Sequence, residues 1–350
     1  MNDSQTRIQN LIVHKVDHKN YDEPLLSDLP SPYSAEVASF LRRHIKNNRE
    51  HKNSRTAIFC SDVDAKGPRL KKMVDTILDD PNQFVPESRK IAKHLYDSLD
   101  ERTSPGDLVI CTYSEGDHSE GPWLALLKMD PSDGFAGERQ EVDGKWQVVL
   151  QRVPNVLPTG NLQKCAFILP IEMREERKHD LIVLDQQAAR YATRRPVASF
   201  FSGRFLQCDV NLNREDMTVL FVAGSRKWLA RREADWPAGD VIQFNTQLYT
   251  TLQNQTIDAA AFAAAVISDA EEQDDYLAYI KNYGLDQLVF QPDPKRRAKL
   301  TTYANFEGDN GLRVRIKANA VGPGQTLRYH RDKATNEWVV EIRTTVWRRK

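Results

Sequence analysis

The spacing of apolar residues predicts a chain that begins with interleaved strands and helices. Alternating or continuous apolar runs are typical of strands, whereas apolar residues three and four positions apart are typical of helices. Strand patterns occur at 8–16, 56–60, 107–113, 122–129, 146–151, 163–171 and 180–185. Helical patterns occur at 35–45, 70–78 and 88–99. Because 107–113 and 122–129 are neighbours across a polar loop, we expect a hairpin there and a mostly antiparallel sheet.

From residue 188 the spacing becomes helical. Two apolar stripes lie at Val197–Phe205 and Met217–Trp228, and further helices are predicted at 240–252, 258–267 and 271–283. The many aromatic residues between 195 and 236 fit either an internal core or a contact between subunits.

After residue 284 the pattern returns to strands. Pro292 and Pro294 indicate a linker that leads into KRRAKL, and three strands are predicted at 312–318, 325–330 and 338–344. The fold class is therefore α+β, with a mostly antiparallel sheet in an N-terminal domain. The predicted parts are an α+β domain, a helical region and a small, basic, β-rich domain, at residues 1–187, 188–284 and 285–350.

The composition indicates a soluble protein of the cytoplasm. Apolar residues make up 40% of the 350 residues, which is enough to build cores. No run of about 18 apolar residues occurs, so no membrane-spanning helix is predicted, and the polar start MNDSQTRIQN is unlike a secretory signal. The four cysteines are far apart in the sequence, which favours reduced thiols over disulfides.

The formal net charge is +0, but the positive charge is concentrated at the C-terminal end. Residues 281–350 contain 15 basic and 7 acidic residues, whereas residues 226–280 contain 4 and 9. A single basic cluster is usually a solvated face, but several together indicate an anionic partner. The clustered cations are candidate nucleic-acid contacts: Arg190, Arg194, Arg195, Lys295, Arg296, Arg297, Lys299, Arg313, Arg315, Lys317, Arg328 and Arg331.

The first of the three C-terminal strands has the clearest basic pattern. Arg313, Arg315 and Lys317 alternate with apolar residues, and a period of two places all three cations on one face. We predict that this face contacts phosphates. The alternative is a solvated face whose cations pair with Glu337 and Glu341.

Motifs of catalysis are missing from the sequence. The glycine-rich GPGQT lacks the lysine of a phosphate-binding loop, and G-x-S-x-G does not occur. Three groups were weighed as metal sites: Asp62 with Asp64, His179 with Asp180 and Asp185, and Glu341 near Arg343. Turns and strand ends carry such residues more often than metal ions do. We therefore predict no catalytic residue, no metal and no cofactor.

Several stretches, taken in order, carry a family resemblance. They are RIQNLIVHKV, DLVICTY with WLALLKM, HDLIVLDQQ with RPVASFFSGRFL, KLTTYANFEGDNGLRVRIKANAVG and RYHRDKATNEWVVEI. In these the chain resembles the bacterial nucleoid-associated protein family of the NdpA (YejK) type. Two loops, at 114–122 and 130–145, are longer than is usual in that family.

The resemblance implies a homodimer that associates with the bacterial nucleoid and binds DNA without catalysis, with RNA left open as a second ligand. It supplies no DNA-contacting residues. Because no helix-turn-helix or zinc-finger pattern occurs, we expect binding to double-stranded DNA with little sequence preference. Two other functions stay open: a DNA-sensing or interaction subunit of an anti-phage defence system, and a metal-dependent nuclease.

Overall fold

A computed structural model describes residues 6–61, 69–116, 121–142, 145–158, 162–189, 195–232, 234–307, 313–317, 327–331 and 338–342. The chain divides into a first unit, Met1–Tyr191 with Pro196–Asn211, and a second unit, Ala192–Arg195 with Leu212–Lys350. The elements confirm the predicted α+β class, with an antiparallel sheet followed by a helical region. The division into three domains stays a prediction.

A seven-stranded sheet organises the first unit. The strands of this unit are β1 (Arg7–Val16), β2 (Arg55–Phe59), β3 (Gly106–Ser114), β4 (Trp123–Met129), β5 (Ser132–Val142), β6 (Lys145–Val156), β7 (Lys164–Ile168), β8 (Leu181–Asp185) and β9 (Cys208–Val210). The order in the sheet is β1-β3-β4-β7-β8-β2-β9. All of its neighbouring strands are antiparallel, and the predicted hairpin of β3 and β4 is confirmed.

Both faces of this sheet are buried. The helices of the first unit are α1 (Ala35–Arg49), α2 (Arg69–Asp79), α3 (Phe84–Ser98), α4 (Ile171–Arg177) and α5 (Gln186–Ala189). Within β3, Leu108 and Ile110 face a core that α2 and α3 complete. Val109 and Cys111 face the opposite core, which α1 completes. Burial on both faces explains why this strand is an unbroken apolar run in the sequence.

The second unit packs its helices around an aromatic core. Its first elements are α6 (Arg214–Arg232), α7 (Ala238–Gln253), β10 (Ile257–Asp258), α8 (Ala259–Val266), α9 (Ala270–Tyr283), β11 (Val289–Phe290) and α10 (Pro294–Thr302). Trp228, Phe244 and Tyr276 are fully buried, with ring centroids 5.3 Å apart for Trp228 and Tyr276 and 5.9 Å apart for Trp228 and Phe244. Of the aromatic residues between 195 and 236, which fit either a core or a subunit contact, Trp228 is therefore a core residue.

The same is true of the Phe-rich segment before α6. Phe200–Leu206 forms a π-helical segment, and Phe201 and Phe205 are at most 1% exposed in a core of the first unit. Residues Phe221 and Trp228 fill the core of the second unit. These residues therefore supply no surface for a subunit contact.

The linker predicted at Pro292 and Pro294 is followed at once by a helix that contains KRRAKL. This segment forms most of α10, which has Pro294 at its first position, and the Asp293 side chain accepts a hydrogen bond from the backbone N–H of Arg296 at 2.7 Å. A proline suits this position because the first helical N–H groups have no partner within the helix. Pro294, predicted as part of a linker, is therefore the first residue of α10.

Four C-terminal strands follow as two separate pairs. They are β12 (Tyr303–Glu307), β13 (Arg313–Lys317), β14 (Leu327–Arg331) and β15 (Trp338–Ile342), with β12 paired to β13 and β14 paired to β15. The three predicted C-terminal strands are therefore confirmed, and β12 is an additional strand.

The segment 130–145, expected to be a loop, is mostly the strand β5. It pairs with β6 from Ser132 opposite Val156 to Val142 opposite Lys145, and the two form a sheet of their own. Glycines at 134 and 137 and four charged residues give β5 a weak strand propensity, which explains why the sequence pattern missed it.

The cysteines are free thiols, as predicted: Cys60 is half-buried, and Cys111, Cys165 and Cys208 are buried. Burial raises the pKa of Cys111 to about 12, which makes its thiol unreactive. None of the described helices is long and apolar enough to cross a membrane.

Candidate nucleic-acid interface

The basic strand β13 pairs with the additional strand β12. Its register places Arg313 opposite Glu307, Arg315 opposite Asn305 and Lys317 opposite Tyr303. Glu341 of β15 lies opposite Arg328 of β14, and ion pairing between the β13 cations and the final strand stays a prediction. Glu337 lies outside the described residues.

Two further clusters named from the sequence are only partly described. Arg328 and Arg331 both lie on β14, where Arg331 is opposite Trp338. Arg190 and Arg194 lie outside the described residues, and Arg195 is exposed.

The cations of α10 divide into two pairs. Lys295 and Lys299 are exposed and lie four residues apart, which places them on one side of the helix. Arg296 is half-buried and forms an ion pair with Glu215 of α6, with its Nε 2.6 Å from the carboxylate. Arg297 is also half-buried. The lysines are therefore better placed than the arginines to contact a phosphate.

A second group of cations, which the sequence analysis missed, lies where α6 packs against α9. Lys227 places its Nζ 5.2 Å from the ring centroid of Tyr283, and Arg231 places its Cζ 4.5 Å from that of Tyr279. The two tyrosine rings stack on each other, with centroids 6.0 Å apart. Both cations are exposed and both tyrosines are half-buried.

The close approach of the two helices depends on a glycine. A Cβ atom at Gly224 would lie 2.8 Å from Ile280 Cδ1 and 3.1 Å from Tyr283 Cδ1. The absence of a side chain there lets α9 approach α6 closely enough for its tyrosines to meet the α6 cations. The i, i+4 spacing of Lys227 with Arg231 and of Tyr279 with Tyr283 aligns the two pairs.

Arg195 lies at one end of this group. Gly284 ends α9 with a φ of 120°, and a Cβ there would come within 2.5 Å of Arg195 Nε. The Arg195 side chain thus lies against the residue that follows Tyr283. We call Arg195, Lys227, Arg231, Tyr279 and Tyr283 the tyrosine–cation surface.

Neighbouring cations differ in how they are held. Arg232 donates to Asp275 at 3.0 Å, and Trp228 Nε1 donates to the same oxygen at 2.8 Å. These hydrogen bonds lower the pKa of Asp275 and keep it ionised. The charge of Arg232 is thereby neutralised, whereas an aromatic ring holds a cation and leaves its positive charge in place.

Two acidic residues of the candidate metal sites, Asp180 and Asp185, have structural partners. Asp180 accepts the backbone N–H of Phe59 at 2.7 Å. Asp185, fully buried at the opposite end of β8, accepts hydrogen bonds from Lys164 Nζ at 3.1 Å and from the backbone N–H of Ala188 and Ala198. Within the described ranges no three His, Cys, Asp or Glu residues lie together as a metal site would require.

The remaining members of those groups do not join them. His179 bonds to the backbone oxygen of Arg177 at 2.8 Å, and Glu341 is exposed on β15. Asp62 and Asp64 lie outside the described residues.

The family of the chain follows from comparison with known proteins. The family model described as nucleoid-associated protein YejK matches residues 12–340. The chain therefore belongs to this family, and the resemblance found in the sequence is confirmed. No curated protein matches the chain.

Proposed function

We propose that this protein binds duplex DNA through the tyrosine–cation surface, with little preference for sequence, and acts in the bacterial nucleoid. The observation that supports the proposal most directly is the pair of exposed cations held over two stacked tyrosine rings. A side chain that a ring already holds loses less freedom when it contacts a phosphate. The membership of a nucleoid-associated family agrees with this function.

Binding without sequence preference follows from the kind of contact. Lysine and arginine side chains that meet phosphates give affinity but read no bases. Competition between unrelated duplexes of equal length should therefore show near-equal affinities. A preference above about a thousandfold, the lower range for specific binders, would contradict the proposal.

The nucleic-acid form is tested in the same titration. We expect mobility shifts with duplex DNA that weaken steeply with salt, because bound cations release counterions from the DNA. Single-stranded DNA and RNA are titrated in parallel, because tyrosine rings also stack on unpaired bases. If only single strands bind, the protein is a single-strand binder and the duplex proposal is wrong. If no nucleic acid binds, the proposed function is overturned.

Cations outside the tyrosine–cation surface are proposed as secondary contacts. Replacement of Arg313, Arg315 and Lys317 by Ala should weaken binding to all sequences alike. It should also flatten the slope of log K against log salt by up to about 2.7, at about 0.9 for each lost phosphate contact. If a folded triple variant keeps both affinity and slope, β13 does not contact DNA, and Lys295 and Lys299 of α10 become the next variants.

We also propose that the protein acts without catalysis. The structural bonds of Asp180 and Asp185 favour this proposal, because each carboxylate already accepts backbone N–H groups. Plasmid DNA incubated with Mg²⁺ or Mn²⁺ should stay intact. Nicking that needs metal and disappears in Asp180→Ala or Glu341→Ala would show a nuclease instead.

The proposed state in solution is a homodimer. Two copies would double the basic surface and raise the apparent affinity for one DNA molecule. Light scattering at micromolar concentration should give about twice the 40.1 kDa mass of the chain. A monomer mass would contradict it.

A further inference from the structure

Arg226 of α6 is held by a tyrosine that does not belong to the tyrosine–cation surface, Tyr249 of α7. Its guanidinium donates a hydrogen bond to the Tyr249 hydroxyl at 3.1 Å, and its Cζ lies 5.9 Å from the centroid of that ring. Arg226 is exposed and Tyr249 is half-buried. Because both contacts are with a neutral side chain, Arg226 keeps its positive charge at the surface.

The cations in the second half of α6 leave the helix towards two different neighbours. Arg226 reaches α7, whereas Lys227 and Arg231 reach the tyrosines of α9. Lys227 and Arg231 project about 100° and 140° around the helix from Arg226. Ala230 projects about 40° from Arg226, which places this exposed alanine between the two sets of cations. The exposed face of this half of α6 therefore has positive charge on both of its sides.

We infer that one phosphate backbone of the bound nucleic acid passes over α6 at Ala230, between Arg226 and the tyrosine–cation surface. The inference rests on the proposed function and names the part of the ligand that this site takes, which is the phosphodiester backbone rather than the bases. Ala230 adds only a methyl group to the helix. A backbone can therefore approach α6 closely enough for the cations on both sides to reach its phosphates.

Two features of the geometry favour a phosphate backbone over bases. First, Arg226 to Arg231 spans about 7.5 Å of the helix, and one strand of duplex DNA carries a phosphate for about every 3.4 Å of its axis, so the face covers about two phosphates. Second, Arg226, Lys227 and Arg231 each lie over a tyrosine ring. These ring faces hold a cation instead of stacking on a base.

The first test is the salt dependence of duplex binding by Arg226→Ala. The loss of one phosphate contact should flatten the slope of log K against log salt by up to about 0.9 and weaken binding about threefold or more, for all sequences alike. The control is Arg214→Ala, which removes an exposed arginine at the first residue of the same helix, about 18 Å away. It should keep the affinity and the slope of the original chain.

Tyr249 acts through Arg226 and is a positioning residue. Tyr249→Phe removes the hydroxyl that Arg226 bonds to and keeps the ring. We expect binding to weaken about twofold or more with an unchanged salt slope, because the number of phosphate contacts stays the same. In the Arg226→Ala background the same change should have no effect. Unchanged affinity in Tyr249→Phe, or an equal loss with and without Arg226, would contradict this role.

The path over α6 is tested by a negative charge at its centre. In Ala230→Glu the new carboxylate lies four residues from Arg226 and three from Lys227, on the exposed face between them. A phosphate backbone on that face would be repelled, so we expect duplex binding to weaken about tenfold or more. The control is Ala264→Glu, at an exposed position of α8. It should bind within about twofold of the original chain, because salt largely screens a charge outside the surface.

The outcomes separate this inference from the proposed function. If Lys227→Ala/Arg231→Ala weakens binding but either Arg226→Ala or Ala230→Glu binds like its control, the proposed function stands and the path over α6 is wrong. If none of these variants weakens binding, the proposed function fails and the inference fails with it. Weaker binding by all three, with both controls unchanged, is the result that the inference predicts.

Discussion

Three basic residues of the first unit and two of the second are held in different ways. In the first unit Lys128, Lys164 and Arg174 are at most 8% exposed, and each is bonded to a carboxylate. In the second unit Lys227 and Arg231 are exposed and are held by tyrosine rings. A count of charges along the sequence treats all five alike. The comparison teaches that burial and partner, rather than the number of cations, indicate where a polyanion can bind.

The buried cations of the first unit serve the fold. Arg174 donates to Asp75 at 2.6 Å and to the backbone oxygen of Leu169 at 3.1 Å. Lys128 bonds to Asp130 and to the backbone oxygen of Ser104, yet burial still lowers its pKa. A buried ion pair adds little net stability, but removal of one partner leaves an uncompensated charge. Such residues should control folding and leave nucleic-acid binding unchanged.

The largest effect is expected for Asp185→Ala. This change leaves Lys164 buried without its carboxylate and leaves two backbone N–H groups without an acceptor. We expect the free energy of unfolding in urea to fall by about 3–5 kcal/mol. The control is Asp28→Ala, whose carboxylate is exposed and pairs with Arg89, with an expected loss below about 1 kcal/mol. Equal losses in both variants would contradict the structural role of Asp185.

Acid should destabilise the first unit through His14. Burial, aided by Arg89, lowers the pKa of His14 from 6.5 to about 4, and its Nδ1 accepts the backbone N–H of Ser27. Above pH 6.5 the ring is neutral in both states and its contribution is complete. As the pH falls from 6.5 towards 4, His14 binds a proton in the unfolded chain but not in the folded protein. The free energy of unfolding therefore decreases.

The expected loss over that window is about 3 kcal/mol, at about 1.36 kcal/mol for each pKa unit. It is measured as the free energy of unfolding in urea at pH 7, 6, 5 and 4.5. His14→Gln serves as the comparison, because it removes the titrating group and should flatten the pH dependence. An unchanged slope in that variant would show that other groups cause the acid sensitivity.

A smaller effect is expected at the glycine between α6 and α9. Gly224→Ala forces a Cβ against Ile280 and Tyr283, and overpacking of this kind costs about 1–3 kcal/mol. The displaced α9 should also weaken nucleic-acid binding. The control is Gly203→Ala, where no atom lies within 4 Å of the new Cβ and both stability and binding should stay unchanged. If Gly224→Ala is destabilised but binds nucleic acid normally, the tyrosine–cation surface is not needed for binding.

The sequence predicts most elements because their burial is regular. Strand β3 is apolar on both faces, and α9 ends at the Tyr283-Gly284 pair that marks a helix end. In contrast, β5 has glycines and charges in place of an alternating apolar pattern, so its pairing with β6 cannot be recognised locally. Pro294 indicates a linker in the sequence, but proline is also favoured at the first helical position, which it occupies in α10.

The tyrosine–cation surface could not be found by counting charges. It combines residues up to 88 positions apart, and Lys227, Arg231 and Tyr279 lie in the segment 226–280, which has an excess of acidic residues. The sequence contains two signals, which are Lys227 with Arg231 and Tyr279 with Tyr283, each pair four residues apart. Only the packing of α6 on α9 shows that the two pairs meet. Of the cations selected from the sequence, Arg195 is the one placed beside them.

The central claim is that exposed cations held by tyrosines bind nucleic acid, and its most direct test is the salt dependence of duplex binding by Lys227→Ala/Arg231→Ala. The matched control is Lys72→Ala/Lys93→Ala, which removes two exposed helical lysines from the first unit. We expect the first variant to bind roughly tenfold or more weakly and its log K against log salt slope to be flatter by up to about 1.8. Both variants should lose less than about 2 kcal/mol of stability. If Lys227→Ala/Arg231→Ala keeps the affinity and slope of the original chain, or changes only as much as the control, the tyrosine–cation surface is not the binding site.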